Sequence, residues 1–220
     1  MEEVIDIEVN GEPLQYALQS LPQQFIEWQS QNRLKMFDLL AEQGAGAVKM
    51  QPAHIAIMAT LSDGPFPVNL AARGLGLVPK AGYLEEFTSQ FKAVQVETAT
   101  EPLKTSLPRR VEVMRAFYAD IVNFDEHLLG GLDIFEGQTA KNLLRDPRAA
   151  LLYVGEAPSF PSYQFNGVIT RVEKGDLYFE FLLAARELFA FDTFHIPQAR
   201  YSFGYLFQAV EVKNKTPYPR

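Results

Sequence analysis

The stretch His54–Gly74, HIAIMATLSDGPFPVNLAARG, decides the reading of this chain. Val48–Leu61 reads as a strand, and its apolar run Ile55–Leu61 is rich in residues suited to burial. Ser62-Asp63-Gly64-Pro65 is turn chemistry, because Asp, Gly and Pro each favour a reversal for a separate backbone reason. Phe66–Val78 then resumes as strand. Side chains alternate along a strand, so Asn69, Ala71 and Arg73 share one face. A strand that only filled a core has no use for an amide and a guanidinium among small residues. Small Ala71 leaves room for a flat ligand, and an arginine can hold a phosphate through two parallel hydrogen bonds. The alternative is an Arg73 at a barrel end that points to water.

Outward from that hairpin, strands dominate. Residues 3–8 alternate apolar and polar, and Asn10-Gly11 supplies the two positive-φ positions of a type I′ turn. Leu21–Gln43 is expected to be helical, with Pro22 at its start and Gly44 and Gly46 at its end. Ser106–Leu129 reads as a second long helix, with Ser106 as cap, Pro108 in the first turn, and a stripe of Val111, Met114, Phe117, Tyr118, Ile121 and Phe124. Gly130-Gly131 would stop it. LDIFEG, Arg148–Glu156, Tyr163–Glu173 and Asp176–Leu182 read as strands, and Tyr201–Lys215 as a strand or mixed segment. QTAKNLLRD and LAARELFAF read as short helices. The strands and helices do not alternate regularly, which argues against a doubly wound sheet. The expected fold class is α+β: a mainly antiparallel split β-barrel with peripheral helices and one helical insertion at about residues 84–130, in a single domain over 1–220.

Composition narrows the function classes. The chain has 220 residues, 47% of them hydrophobic, which suffices for one sizeable core. Its net charge of −7 lacks the basic footprint of a nucleic-acid binder. With no cysteine there is no disulfide, thiolate metal site or cysteine nucleophile, which fits a cytoplasmic protein. The N-terminus is acidic and carries no signal-peptide core, and no apolar run is long enough to cross a membrane. The three histidines, His54, His127 and His195, show no metal-ligand spacing, so no metal is expected. No nucleophile elbow and no P-loop occur.

One more stretch carries chemistry. In FEGQTAKNLLRDPR a glycine turn opens onto a helix, whose first amides lack internal partners and whose dipole favours an anion. Thr139 and Lys141 stand in that first turn. The plain alternative is an amphipathic helix with Leu143 and Leu144 buried and Lys141 in water.

In order, ATLSDGPFPVNLAARG, then TAKNLLRDPRAALLYV, then NGVITRVE resemble the FMN-binding split-barrel superfamily, which includes pyridoxamine-phosphate-oxidase-like proteins and flavin reductases. The matching segments cover roughly residues 48–80 and 130–175. The resemblance implies an FMN phosphate held by Arg73, Thr139 and Lys141, with Asn69 and its neighbours Val68 and Leu70 near the isoalloxazine. It implies a homodimer acting on a small molecule, as an oxidoreductase or flavin reductase; no catalytic acid or base can be assigned. The long segment between the second and third strands departs from the family pattern. It leaves open a non-catalytic module whose inserted helix takes a protein partner, and His195 leaves open a haem-binding reading.

Overall fold

A computed structural model describes residues 3–44, 53–190, 198 and 200–217. The chain opens with a hairpin of β1 (Val4–Val9) and β2 (Glu12–Ala17). Asn10 and Gly11 both take positive φ, at 54° and 82°, as the turn requires. Helix α1 (Gln23–Gln43) follows Pro22 and ends at Gly44, whose φ is 78° and whose N–H donates to the Leu40 carbonyl. Its buried side, with Phe25, Met36, Phe37 and Leu40, faces the core.

Among the described residues, the main sheet has seven antiparallel strands: β3 (Ile55–Leu61), β4 (Val68–Gly74), β5 (Gly76–Pro79), β6 (Phe124–Leu132), β7 (Arg148–Val154), β8 (Ser162–Glu173) and β9 (Phe203–Asn214). Their order is β4-β3-β7-β8-β9-β6-β5, so β4 and β5 form the two edges. Only Leu75 separates those edges in the chain. The sheet must therefore curl until its first and last strands share one corner. That closure makes the α+β split barrel expected from the sequence. The corner is fixed from within: the Tyr153 hydroxyl, fully buried, donates to the Leu75 carbonyl at 2.9 Å. Met58, Leu129, Leu151, Phe165 and Phe207 fill the interior around it.

Helices α2 (Leu84–Glu97) and α3 (Leu103–Ala119) stand between β5 and β6. Together with α5 (Leu177–Glu187) they make a layer joined by Phe91, Phe117 and Phe181, whose ring centroids lie 5.3–6.1 Å apart. The α3 stripe of Val111, Met114, Phe117 and Tyr118 is buried inside this layer and against α1.

Several local expectations are corrected. Helix α3 starts at Leu103 after Pro102, so Ser106 and Pro108 lie inside it. It ends at Ala119, not Leu129: the Asp120 side chain accepts from Val122 N–H and turns the chain into β6. Ile121 and Phe124 continue the helical spacing by coincidence, while β6 is fixed by ladders to β5 and β9. Gly130 and Gly131 lie within that strand rather than ending a helix. A methyl at Gly131 would collide with the Gly74 carbonyl, so only glycine lets the β4–β5 corner cross β6. Asp176–Leu182 is helix, not strand. The Asp176 carboxylate caps α5 by accepting from Tyr178 and Phe179 N–H. In LDIFEG only Leu132 is strand, and the rest is the loop into α4 (Gln138–Arg145). Val48–Pro52, which the sequence assigned to β3, and Gly46 lie outside the described residues.

Candidate functional site

Asn69 faces the barrel interior opposite Thr60, its β3 partner. Its amide donates to the hydroxyls of Thr60, at 3.4 Å, and Thr139, at 3.2 Å. The Asn142 amide donates to Thr60 at 3.0 Å, and Gln138 donates to Asn142 at 2.8 Å. Thr60, Thr139 and Asn142 are each buried. Because the two threonine oxygens accept, their own hydrogens remain to be donated. This network clasps the start of α4 onto β3 and β4, joining residues that lie 70 positions apart in the chain.

Helix α4 starts after Gly137, which offers no side-chain cap, and among the described residues no side chain accepts from its first-turn amides. Lys141 stands exposed in that turn. Amides, dipole and ammonium form a donor set suited to a phosphate. Asn69, Thr139 and Lys141 are thus brought together at one helix start.

Arg73 is not with them. It lies four residues further along β4, ~13 Å at strand rise, where its Nε is 3.9 Å from Asp133 Oδ1 and one terminal nitrogen donates to the Ala72 carbonyl. The Asp133 side chain is 1% exposed. Burial pushes its carboxyl above the ordinary carboxylate range, and the Arg73 charge only partly opposes this. Burial and the neighbouring Asp133 likewise push up the Tyr205 hydroxyl. Among the described residues, neither Arg73 Nε nor the Asp133 oxygens nor the Tyr205 hydroxyl reaches hydrogen-bonding geometry with a partner. Sequence reading missed Asp133 and Tyr205, since only the crossing of β6 by the β4–β5 corner brings Arg73 to them.

The outward face of the same strands carries a groove of about 670 Å³. Ala59, Ala149, Ala150 and Gly167 give it a small-residue floor, Val68 and Leu61 one wall, and Tyr16, Arg148 and Glu211 a polar rim. Arg148 is fixed by Asp146, which accepts from its Nε at 2.9 Å and a terminal nitrogen at 2.7 Å. Those bonds hold Asp146 below the ordinary carboxylate range. Around the groove Ile57, Leu61, Val68, Leu70, Leu152 and Val154 are exposed, Leu70 to 65%.

The histidines are apart. His54 Nδ1 lies 3.1 Å from an Arg33 nitrogen, and His127 lies near Glu3 and Glu126. His195 lies outside the described residues. Among the described residues no group of three potential ligands could hold a metal, and no helix is long and apolar enough to cross a membrane.

No protein-family model and no curated protein sequence matches the chain. Solved structures of similar fold include HupZ of Group A Streptococcus, at 14% identity over 82% of this chain and 91% of that one, with a TM-score of 0.41. An FMN-binding protein of Syntrophomonas wolfei is 8% identical over 90% and 95%, with a TM-score of 0.41. An F420 reductase is 10% identical over 73% and 90%, with a TM-score of 0.42.

Proposed function

We propose that this chain is an FMN-binding split-barrel protein that works in the cytoplasm as a homodimer, an oxidoreductase or flavin reductase for a small molecule. The observation that carries this reading is the junction of α4 with β3 and β4. An uncapped helix start beside Lys141 is clasped by Asn69 and Thr139, and the same strands floor an apolar groove of a size that takes a flat heterocycle. In this reading the phosphate rests on the first-turn amides and the Lys141 ammonium. Asn69 and Thr139 hold the helix start in place. Arg73 joins the phosphate only by leaving Asp133. FMN, when bound, supplies the electron transfer; the protein binds and orients it. The exposed apolar side chains of β3, β4 and β7 support a second copy on the outward face.

A second reading is a split-barrel module without redox chemistry. The capture of Arg73 by buried Asp133 favours it, because it withdraws one expected phosphate ligand.

The test is a visible spectrum of the purified chain after FMN is added and the excess removed. Retained oxidised-flavin bands support the first reading. Lys141→Ala should then weaken FMN affinity about tenfold, the scale of one charge-assisted bond. A colourless protein whose melting temperature ignores FMN would leave the second reading.

A further inference from the structure

At the far end of β4 from Asn69 lies a second cleft, of about 180 Å³, between α1, α3, α5 and the β4–β5 corner. Arg33 of α1 and Arg186 of α5 both line it, with His54 between strand and helix. Among the described residues, no aspartate or glutamate lines it.

Arg33 has unusual company. One terminal nitrogen donates to His54 Nδ1 at 3.1 Å, and the same nitrogen reaches the Met36 sulfur at 3.6 Å. Its guanidinium lies over the Phe37 and Tyr118 rings, 5.1 and 5.4 Å from their centroids. Its Nε is buried without a hydrogen-bond partner among the described residues. An arginine only donates, so His54 Nδ1 is the acceptor in this contact. Arg33 is thus a partly buried cation whose described neighbours are an imidazole lone pair, a thioether and two ring faces. Burying a charge without an opposite charge is costly. The Arg186 Nε donates to the Tyr201 hydroxyl at 2.9 Å, which sets its guanidinium on the same cleft.

We propose that this cleft binds a small organic carboxylate. The carboxylate accepts from Arg33, and its apolar body packs against Phe117, Phe181 and Leu182. At about 180 Å³ the cleft is smaller than the roughly 300–1,000 Å³ of drug-sized ligand pockets, so its ligand is small. The site is separate from the α4 junction, takes a different ligand, and does not depend on flavin binding.

The test is calorimetric titration of the full chain with sodium benzoate, and separately with inorganic phosphate, in low-chloride buffer. Saturable one-to-one benzoate binding is expected, weaker by about 10- to 100-fold in Arg33→Gln and unchanged in Arg171→Gln, a surface arginine. Absence of saturable benzoate binding overturns the proposal. So does equal affinity in a folded Arg33→Gln. Phosphate binding as tight as benzoate overturns the organic part of the assignment. Should Arg33→Gln fail to fold, the His54 imidazole ¹⁵N resonances of the unmodified protein decide: they shift on titration if benzoate lies in the cleft, and binding that leaves them still overturns the site.

Discussion

Gly131→Ala tests the barrel closure directly. A methyl there would stand 3.0 Å from the Gly74 carbonyl carbon and 3.4 Å from Leu75 Cα, with the Gly74 oxygen closer still. The obstacle is backbone, so no rotamer change relieves it. The corner would have to withdraw from β6 by roughly 1 Å, an overpacking strain of about 1–3 kcal/mol. Leu75 is buried, donates to the His54 carbonyl at 2.9 Å and accepts from Tyr153 at 2.9 Å. Losing one of those bonds adds about 1–3 kcal/mol. A total of about 2–6 kcal/mol lowers the melting temperature by roughly 4–24 °C for a chain of this size. Circular dichroism melts of both proteins read it, with Gly82→Ala as control, where an added methyl meets nothing within 4 Å. A Gly131→Ala melt within about 2 °C of the unmodified protein would refute this account of the corner.

Asp133→Asn should stabilise the fold at neutral pH. Burial raises this carboxyl's folded pKa above its unfolded value, so the folded state holds the extra proton. Stability therefore falls as pH climbs from the ordinary carboxylate range through the raised value. The variant's advantage in urea unfolding should be larger at pH 8 than at pH 4; an advantage independent of pH contradicts the assignment. Asp146→Asn runs the other way. Arg148 depresses that pKa, so its stabilisation is present above the ordinary carboxylate range and lost as pH falls through the lowered value. The variant should cost about 1–2 kcal/mol at pH 7, discounted because Arg148 is partly exposed, and the gap should close in acid. On the proposed homodimer reading, the unmodified chain should sediment as a dimer and Leu70→Lys as a monomer with an unaltered fold, since Leu70 is largely exposed in a single chain. An unchanged dimer would place the contact elsewhere.

The hairpin of β3 and β4 was legible because its signals are local: an apolar run, Asp-Gly-Pro chemistry and alternation. Asn10-Gly11 was legible for the same reason. The start of α4 was found through glycine followed by Thr139 and Lys141, again a local pattern. Residues whose structure is set from afar were not. Phe124–Leu132 fits a helical stripe as well as a strand, and the ladders to β5 and β9 decide the matter. Leu177, Phe179 and Phe181 alternate like a strand, but Asp176 caps a helix and α2 covers it. Arg73 was rightly placed on the face of Asn69. Its neighbour Asp133 was beyond reach of the sequence, because it lies 60 positions further on and only the barrel closure brings the two together.

The corner at Leu75 also says where this barrel can be cut. The β3–β4 link is a surface turn between paired neighbours, and new chain ends at Ser62–Pro65 would leave those strands adjacent in the sheet. New ends at Leu75 would spare every ladder between neighbouring strands but sever the one covalent tie between the sheet's two margins. The curled sheet would then be free to flatten and to offer the unpaired rims of β4 and β5 to other chains. A circular permutant opened at the turn should behave as a solution protein, and one opened at the corner should aggregate. In this fold a single peptide link does the work that a row of hydrogen bonds does in a fully closed barrel.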